Sequence, residues 1–196
     1  NIFLAMLVAM AVCVPLAMII ERVAYRPLRK STRLAPLISA LGVSIFLQPL
    51  ITLIAGPNPK GFPQIIKDTI YIVGPVQFSL VQVIILVLAG LLMVLLHYIV
   101  KYTKMGKAMR ATSEDYETAH LMGINVNRVI SFTFAMGAAL ASAGGVLVGM
   151  CFNSIHPLMG VSVGLKSFCA AVLGGIGSIP GAMLGGIFLG VAEVTG

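Results

Sequence analysis

Four long runs of this chain, residues 2–20, 34–55, 79–100 and 129–150, contain no Asp, Glu, Lys or Arg. An apolar run of about 20 residues is long enough to cross a bilayer as an α-helix. A helix closes its own backbone hydrogen bonds, so it can do this without water. Charge gathers in two stretches between the runs. Arg22, Arg26, Arg29, Lys30 and Arg33 lie in one, and Lys101, Lys104, Lys107, Arg110 and Arg128 in the other. They make up ten of the thirteen Lys and Arg residues. Basic clusters between spans mark the cytoplasmic side. The pattern predicts an all-α, polytopic transmembrane helical bundle with about five or six spans. Loops at about 21–35 and 101–128 are expected inside, and residues 56–78, with only Lys60 and Lys67, outside.

The chain is 59% hydrophobic and only 10% charged. Soluble domains are roughly 45–50% apolar and about 25% charged, so this composition leaves too little polar surface to cover a water-soluble core. The net charge of +7 does not point to nucleic acid, because the basic residues are juxtamembrane. Cys13, Cys151 and Cys169 are odd in number and widely spaced, and read as small apolar residues. Residues 1–196 are expected to form a single transmembrane domain, and an internal piece of a longer polypeptide.

Pro15 and Pro49 fall inside spans one and two as candidate kinks. Residues 69–78 alternate around Gly74-Pro75 and predict a short external hairpin. Residues 166–192 are apolar but broken by Gly174-Gly175, Gly177, Pro180-Gly181 and Gly185-Gly186. They suit either two tilted spans joined by a tight turn or a broken re-entrant element. In the second basic stretch, Thr112-Ser113-Glu114-Asp115 reads as a hydroxyl cap followed by acids, and Gly123 as a C′ residue. Together they predict a short helix over about Glu114–Met122, with Asn125 or Asn127 capping the next span. A helix this short is marginal alone and should dock on a membrane surface or a partner protein.

Glu117-Thr118-Ala119-His120-Leu121-Met122-Gly123 resembles the E-x-A-x-x-x-G core of the cytoplasmic loop of bacterial ABC importer permeases. The resemblance implies that Glu117, Ala119 and Gly123 belong to a coupling helix seated on an ATPase subunit. The family's later Ile-x-Leu-Pro portion is absent; Thr133-Phe134-Ala135-Met136 stands there. Two further stretches are similar to LivH-type branched-chain amino acid permeases. One is Glu21-Arg22-Val23-Ala24-Tyr25-Arg26-Pro27-Leu28-Arg29, and the other is Ala171-Val172-Leu173-Gly174-Gly175-Ile176-Gly177-Ser178-Ile179-Pro180-Gly181. The resemblance covers essentially the whole chain. It implies a permease domain in a bacterial inner membrane. The implied partners are ATP-binding subunits, a second permease subunit in a heterodimer, an extracytoplasmic substrate-binding protein and membrane lipid. Amides and urea remain alternative substrates within the same resemblance.

Gly137, Ala141, Gly145 and Gly149 recur every four residues on span four and predict one small-residue packing face, a spacing repeated by Gly181/Gly185 and Gly186/Gly190. No catalytic, metal or cofactor site emerges. Gly160–Ser167 resembles a phosphate-binding loop, but its glycine and lysine are misplaced. His97, His120 and His156 are scattered. Glu193 is the one acid in an otherwise apolar run, which is a functional hypothesis by default. An ion-coupled carrier is the competing function. A proton-coupled one needs acids or histidines within its spans, whereas a sodium carrier could use carbonyls at broken helices.

Overall fold

The computed structural model describes residues 2–30, 35–62, 70–73, 76–175 and 177–195. Arg33, residues 63–69 and the Gly74-Pro75 turn of the expected hairpin lie outside the described residues. Helix α1 (Ile2–Ile20) carries Pro15 inside it, and a π-helical turn, Glu21–Tyr25, continues it. Then come α2 (Ala35–Ala55), the two-residue strand β1 (Lys60–Gly61), and strands β2 (Ile70–Val73) and β3 (Val76–Ser79). Next are α3 (Leu80–Tyr102), α4 (Lys104–Glu114), α5 (Tyr116–Leu121) and α6 (Val126–Phe152). Strand β4 (Ser154–Ile155) precedes the last two helices, α7 (Met159–Leu173) and α8 (Ile179–Thr195).

Among the described residues, four segments are long and apolar enough to cross a membrane: Phe3–Tyr25, Ile38–Ala55, Leu80–Tyr102 and Val126–Phe152. Their surfaces are apolar outward as well as inward. Leu53 is 85% exposed and Leu86 71%, as suits helices solvated by lipid. Helix α6 is the centre of the bundle and packs mainly on α1. Ala143 is fully buried there with Met6 and Leu147, and Met10, Ile85 and Leu92 close around them.

Local chemistry sets the ends of the helices. The Ser79 hydroxyl accepts from the Val81 N–H at 3.3 Å, and the Gln82 amide oxygen accepts from the Ser79 N–H at 3.3 Å. This reciprocal capping box begins α3. Thr103 ends α3 and begins α4, where its hydroxyl accepts from the Gly106 N–H at 3.0 Å. Gly106 is buried against the carbonyls of Ile99 and Val100, so no side chain fits in that corner. Strands β2 and β3 pair antiparallel from Ile70↔Ser79 to Val73↔Val76, in register for a two-residue connection. Strand β1 pairs with β4, which ties the segment after α2 to the end of α6.

Residues 166–192 form a helical hairpin. Gly174, Gly181 and Gly185 let α7 and α8 touch backbone to backbone. A Cβ on Gly181 would fall on the Gly174 carbonyl, and one on Gly185 on the Ala170 carbonyl. Gly175 and Gly177, at φ 88° and 102°, make the connection. At the far end of the seam Lys166 pairs with Glu193. The lone acid of the apolar run therefore has a structural partner. At 1.5 Å per residue each helix is roughly 22–26 Å long, short of the ~30 Å hydrocarbon core.

Candidate functional site

The first candidate lies at the end of the bundle where α4, α5 and the start of α6 meet. The sequence predicts one helix over about Glu114–Met122. The structure has this helix as α5, Tyr116–Leu121, and adds one that was not expected, α4 over Lys104–Glu114, which breaks at Asp115, whose backbone is extended at φ −147°. Thr112 and Ser113 are not caps. Their hydroxyls donate back to the carbonyls of Ala108 (2.8 Å) and Arg110 (2.7 Å) within α4. Asp115 caps α5 instead. Its carboxylate accepts from the N–H groups of Glu117 (2.9 Å) and Thr118 (3.3 Å) and from the Thr118 hydroxyl. The Thr118 hydroxyl, then the Thr118 and Glu117 amides, hold the Asp115 carboxyl below the usual carboxylate range.

The other end of α5 is closed just as firmly. The Gly123 N–H donates to the His120 carbonyl and the Ile124 N–H to the Ala119 carbonyl, each at 3.1 Å. This is the Schellman pattern, with Gly123 at φ 82° as its C′ residue. Asn125 then caps α6 by accepting from the Arg128 N–H at 3.3 Å. Ala119 is 4% exposed and anchors α5 inward. Glu117 points outward, and Leu121 and Met122 are 84% and 79% exposed. Of the three residues singled out on this loop, one anchors, one terminates and one is presented. The exposed apolar pair beside Glu117 completes a face suited to a protein partner.

A second candidate is a cavity of about 690 Å³ between α1, α2, α6 and the start of α7. Its volume lies within the range of small-molecule sites. Gly137 and Ala141 line it, so the expected small-residue face divides. A Cβ at Gly137 or Gly145 would meet nothing within 4 Å, whereas at Gly149 it would meet Ile155 and Phe62 at 3.3 and 3.4 Å. Of the three glycines, Gly149 alone closely approaches another of the described residues; Gly137 and Ala141 line the cavity. Ser44, Gln48 and Thr133 bring polarity to an otherwise apolar wall. The Gln48 amide donates to the Ser44 hydroxyl at 3.2 Å. The Thr133 hydroxyl is turned to its own helix, donating to Val129 at 2.9 Å. No Asp, Glu, Lys or Arg lines this space among the described residues. Such a lining suits a small molecule with an apolar body and few polar atoms.

Sequence reasoning missed Glu21. It belongs to the π-helical turn and is 2% exposed. The Ser131 hydroxyl of α6 donates to its carboxylate at 2.8 Å. Tyr25 packs on Phe134 with ring centroids 5.0 Å apart, so the turn is fixed to α6 at two points.

The family described as the permease component of a branched-chain amino acid transport system matches residues 1–196. The high-affinity branched-chain amino acid transport system permease protein LivH of Salmonella typhimurium is 48% identical over 179 residues, covering 89% of this chain and 58% of LivH. BraD, a permease protein of the same description from Pseudomonas aeruginosa, is 48% identical over 182 residues, or 90% of this chain and 59% of BraD. A more distant relative, the fructose import permease protein FrcC of Rhizobium meliloti, is 35% identical over 108 residues, 52% of this chain and 30% of FrcC. The chain thus spans somewhat over half the length of LivH and BraD. No solved structure matches. A polytopic bundle of apolar helices, matched over its full length, makes this chain a member of the branched-chain amino acid transport permease family.

Proposed function

We propose that this chain supplies the membrane-spanning core of a permease subunit in an ATP-driven importer. The importer moves branched-chain amino acids received from an extracytoplasmic binding protein across the inner membrane. Residues 21–35 and 101–128 face the cytoplasm in this reading, and α5 is the coupling helix seated on an ATP-binding subunit. A second permease subunit completes the pathway. The observation that carries the reading is α5 itself. Six residues cannot hold a helix by propensity, yet this one is capped at both ends and leaves Glu117, Leu121 and Met122 exposed. LivH and BraD are named as transport permeases for the same substrates, and the uncharged, mostly apolar cavity suits an aliphatic amino acid side chain.

Closure of the ATP-binding subunits would push on α5. The Schellman turn and the Asn125 cap pass that displacement to α6, one wall of the cavity. The test is a pair of variants in the full-length protein, Glu117→Lys and Gly123→Pro. Proline fixes φ near −65° and cannot adopt the positive φ at position 123. Both variants should insert normally, yet lose co-purification with the ATPase and its stimulation by loaded binding protein. Retention of both properties would reduce the loop to a connector. Uptake driven by an ion gradient in vesicles lacking the ATPase would select the ion-coupled carrier instead.

A further inference from the structure

One groove draws arginines from both basic stretches. Arg22 and Arg26, beyond the end of α1, and Arg128, in the first turn of α6, line a cavity of about 460 Å³ together with Asn125, Asn127 and Ser131. All three arginines are exposed. Among the described residues none of them forms an ion pair. Positive-inside topology asks only for basic residues near the span ends. It does not ask residues from two different spans to share one cavity, where their charges repel. Glu21 is the nearest acid along the chain, but its carboxylate is buried and takes the Ser131 hydroxyl. It borders an adjoining smaller cavity with Arg22. Three guanidinium groups with the Asn125 side-chain amide form a donor set matched to phosphate oxygens.

The apolar surroundings decide which phosphate. Met18, Met105 and Phe132 form the remaining wall of the groove. Ile19 of α1 and Val23 of the π-helical turn, on the adjoining surface, are 59% and 70% exposed. A phosphate donor set beside outward-facing aliphatic surface at the end of a span fits an amphiphile. We propose that this groove binds the headgroup phosphate of an anionic phospholipid of the cytoplasmic leaflet, which bridges the end of α1 to the start of α6. Basic pockets between spans on this side of a membrane recognise lipid headgroups in this way. The proposal requires the membrane orientation given above but is independent of the transported substrate.

The test uses the full-length permease in its complex, purified in detergent and probed with phosphatidylglycerol, phosphatidylcholine and inorganic phosphate. Native mass spectrometry reads the lipid retained. The wild type should hold phosphatidylglycerol in preference to phosphatidylcholine. Each Lys or Arg near a lipid surface contributes about fivefold in affinity. R22Q/R26Q/R128Q should therefore lose on the order of a hundredfold, while R22K/R26K/R128K keeps most of the binding. Arg26→Gln or Arg128→Gln alone should lose about fivefold, which keeps the test decisive if the triple Gln variant inserts poorly. Equal lipid retention by the wild type and the Gln variants would overturn the proposal. Displacement of phosphatidylglycerol by millimolar inorganic phosphate would overturn the lipid assignment in favour of a soluble phosphate. Unchanged lipid retention with loss of the ATPase from the complex would overturn it in favour of a protein-docking face.

Discussion

Gly185 and Gly190 lie on the same helix and offer a controlled comparison of backbone packing. In the interior of α8, glycine is worse than alanine by roughly 0.5–1 kcal/mol. Gly190→Ala should gain about that much, because its new Cβ meets nothing within 4 Å. At Gly185 the same gain is opposed. Its Cβ would fall on the Ala170 carbonyl oxygen and 2.9 Å from the Gly174 nitrogen. Both are backbone atoms of the facing helix and cannot rotate away, so α7 and α8 must separate. A gap of 0.5–1 Å forfeits about a quarter to a half of each contact along the seam, and overpacking of this kind costs about 1–3 kcal/mol. Since the propensity gain is common to both variants, their difference isolates the clash. Gly185→Ala should be less stable than Gly190→Ala by about 1–3 kcal/mol, or roughly 5- to 150-fold in the folded-to-unfolded ratio. Reversible unfolding in mixed micelles, followed by circular dichroism in a denaturant titration, reads the difference. Equal midpoints would show that the α7–α8 seam is not held by glycine contact.

Three further outcomes follow from particular contacts. Ala143→Leu should lower the yield of monodisperse protein, because Ala143 is fully buried between α1 and α6, whereas Ala141→Leu, which points into the cavity, should spare yield and reduce uptake in reconstituted vesicles. Ser131→Ala removes a donor to the buried Glu21 carboxylate and should cost about 1–3 kcal/mol, measured as a shift in the same unfolding midpoint. Asp115 has a folded-state pKa below its ordinary 3.8, so its contribution to α5 is fully present above pH 3.8 and disappears as pH falls through the depressed value. The protection of the Glu117 and Thr118 amides, taken relative to their intrinsic exchange rates at each pH, should therefore fall only in acid, and protection that is flat with pH would show that the carboxylate does not hold the cap.

The spans were readable because a charge-free run of about 20 residues has few other fates in a bilayer. The alternation around Gly74-Pro75 likewise anticipated the pairing of β2 with β3. Helix α4 was hidden because it is short and largely polar, and because Thr112 and Ser113 imitate a cap. A hydroxyl at those positions can equally donate back to its own helix, and the nearby Asp115 carboxylate is the better acceptor for α5. The burial of Glu21 was illegible for a different reason. Beside Arg22 it reads as loop charge, and the Ser131 hydroxyl that meets it in the interior lies 110 positions away. The glycine periodicity announced close-packed faces without naming what would meet them. Gly181 and Gly185 found α7 because the chain turns back at Gly175 and Gly177. Gly137 and Ala141 meet a cavity instead.

The paired closures of α5 give it the mechanics of a rigid crank. Its last turn is bonded through Ile124 into the cap of α6, and Val126, where α6 begins, is 2% exposed. No slack segment separates the two helices to absorb rotation. Helix α6 has 27 residues, about 40 Å at 1.5 Å per residue. A tilt of about 5° imposed at α5 therefore sweeps the opposite end through about 3.5 Å by lever geometry. That end carries β4, which is joined to β1 and so to the segment leaving α2. A small rotation at one face would thus arrive at the other as a displacement the size of a methyl group, applied where the cavity wall formed by α2 is tethered. Spin labels at Leu121 and Ile155 should report this as correlated shifts when nucleotide is added. Motion of the Leu121 label alone would mean that the crank slips.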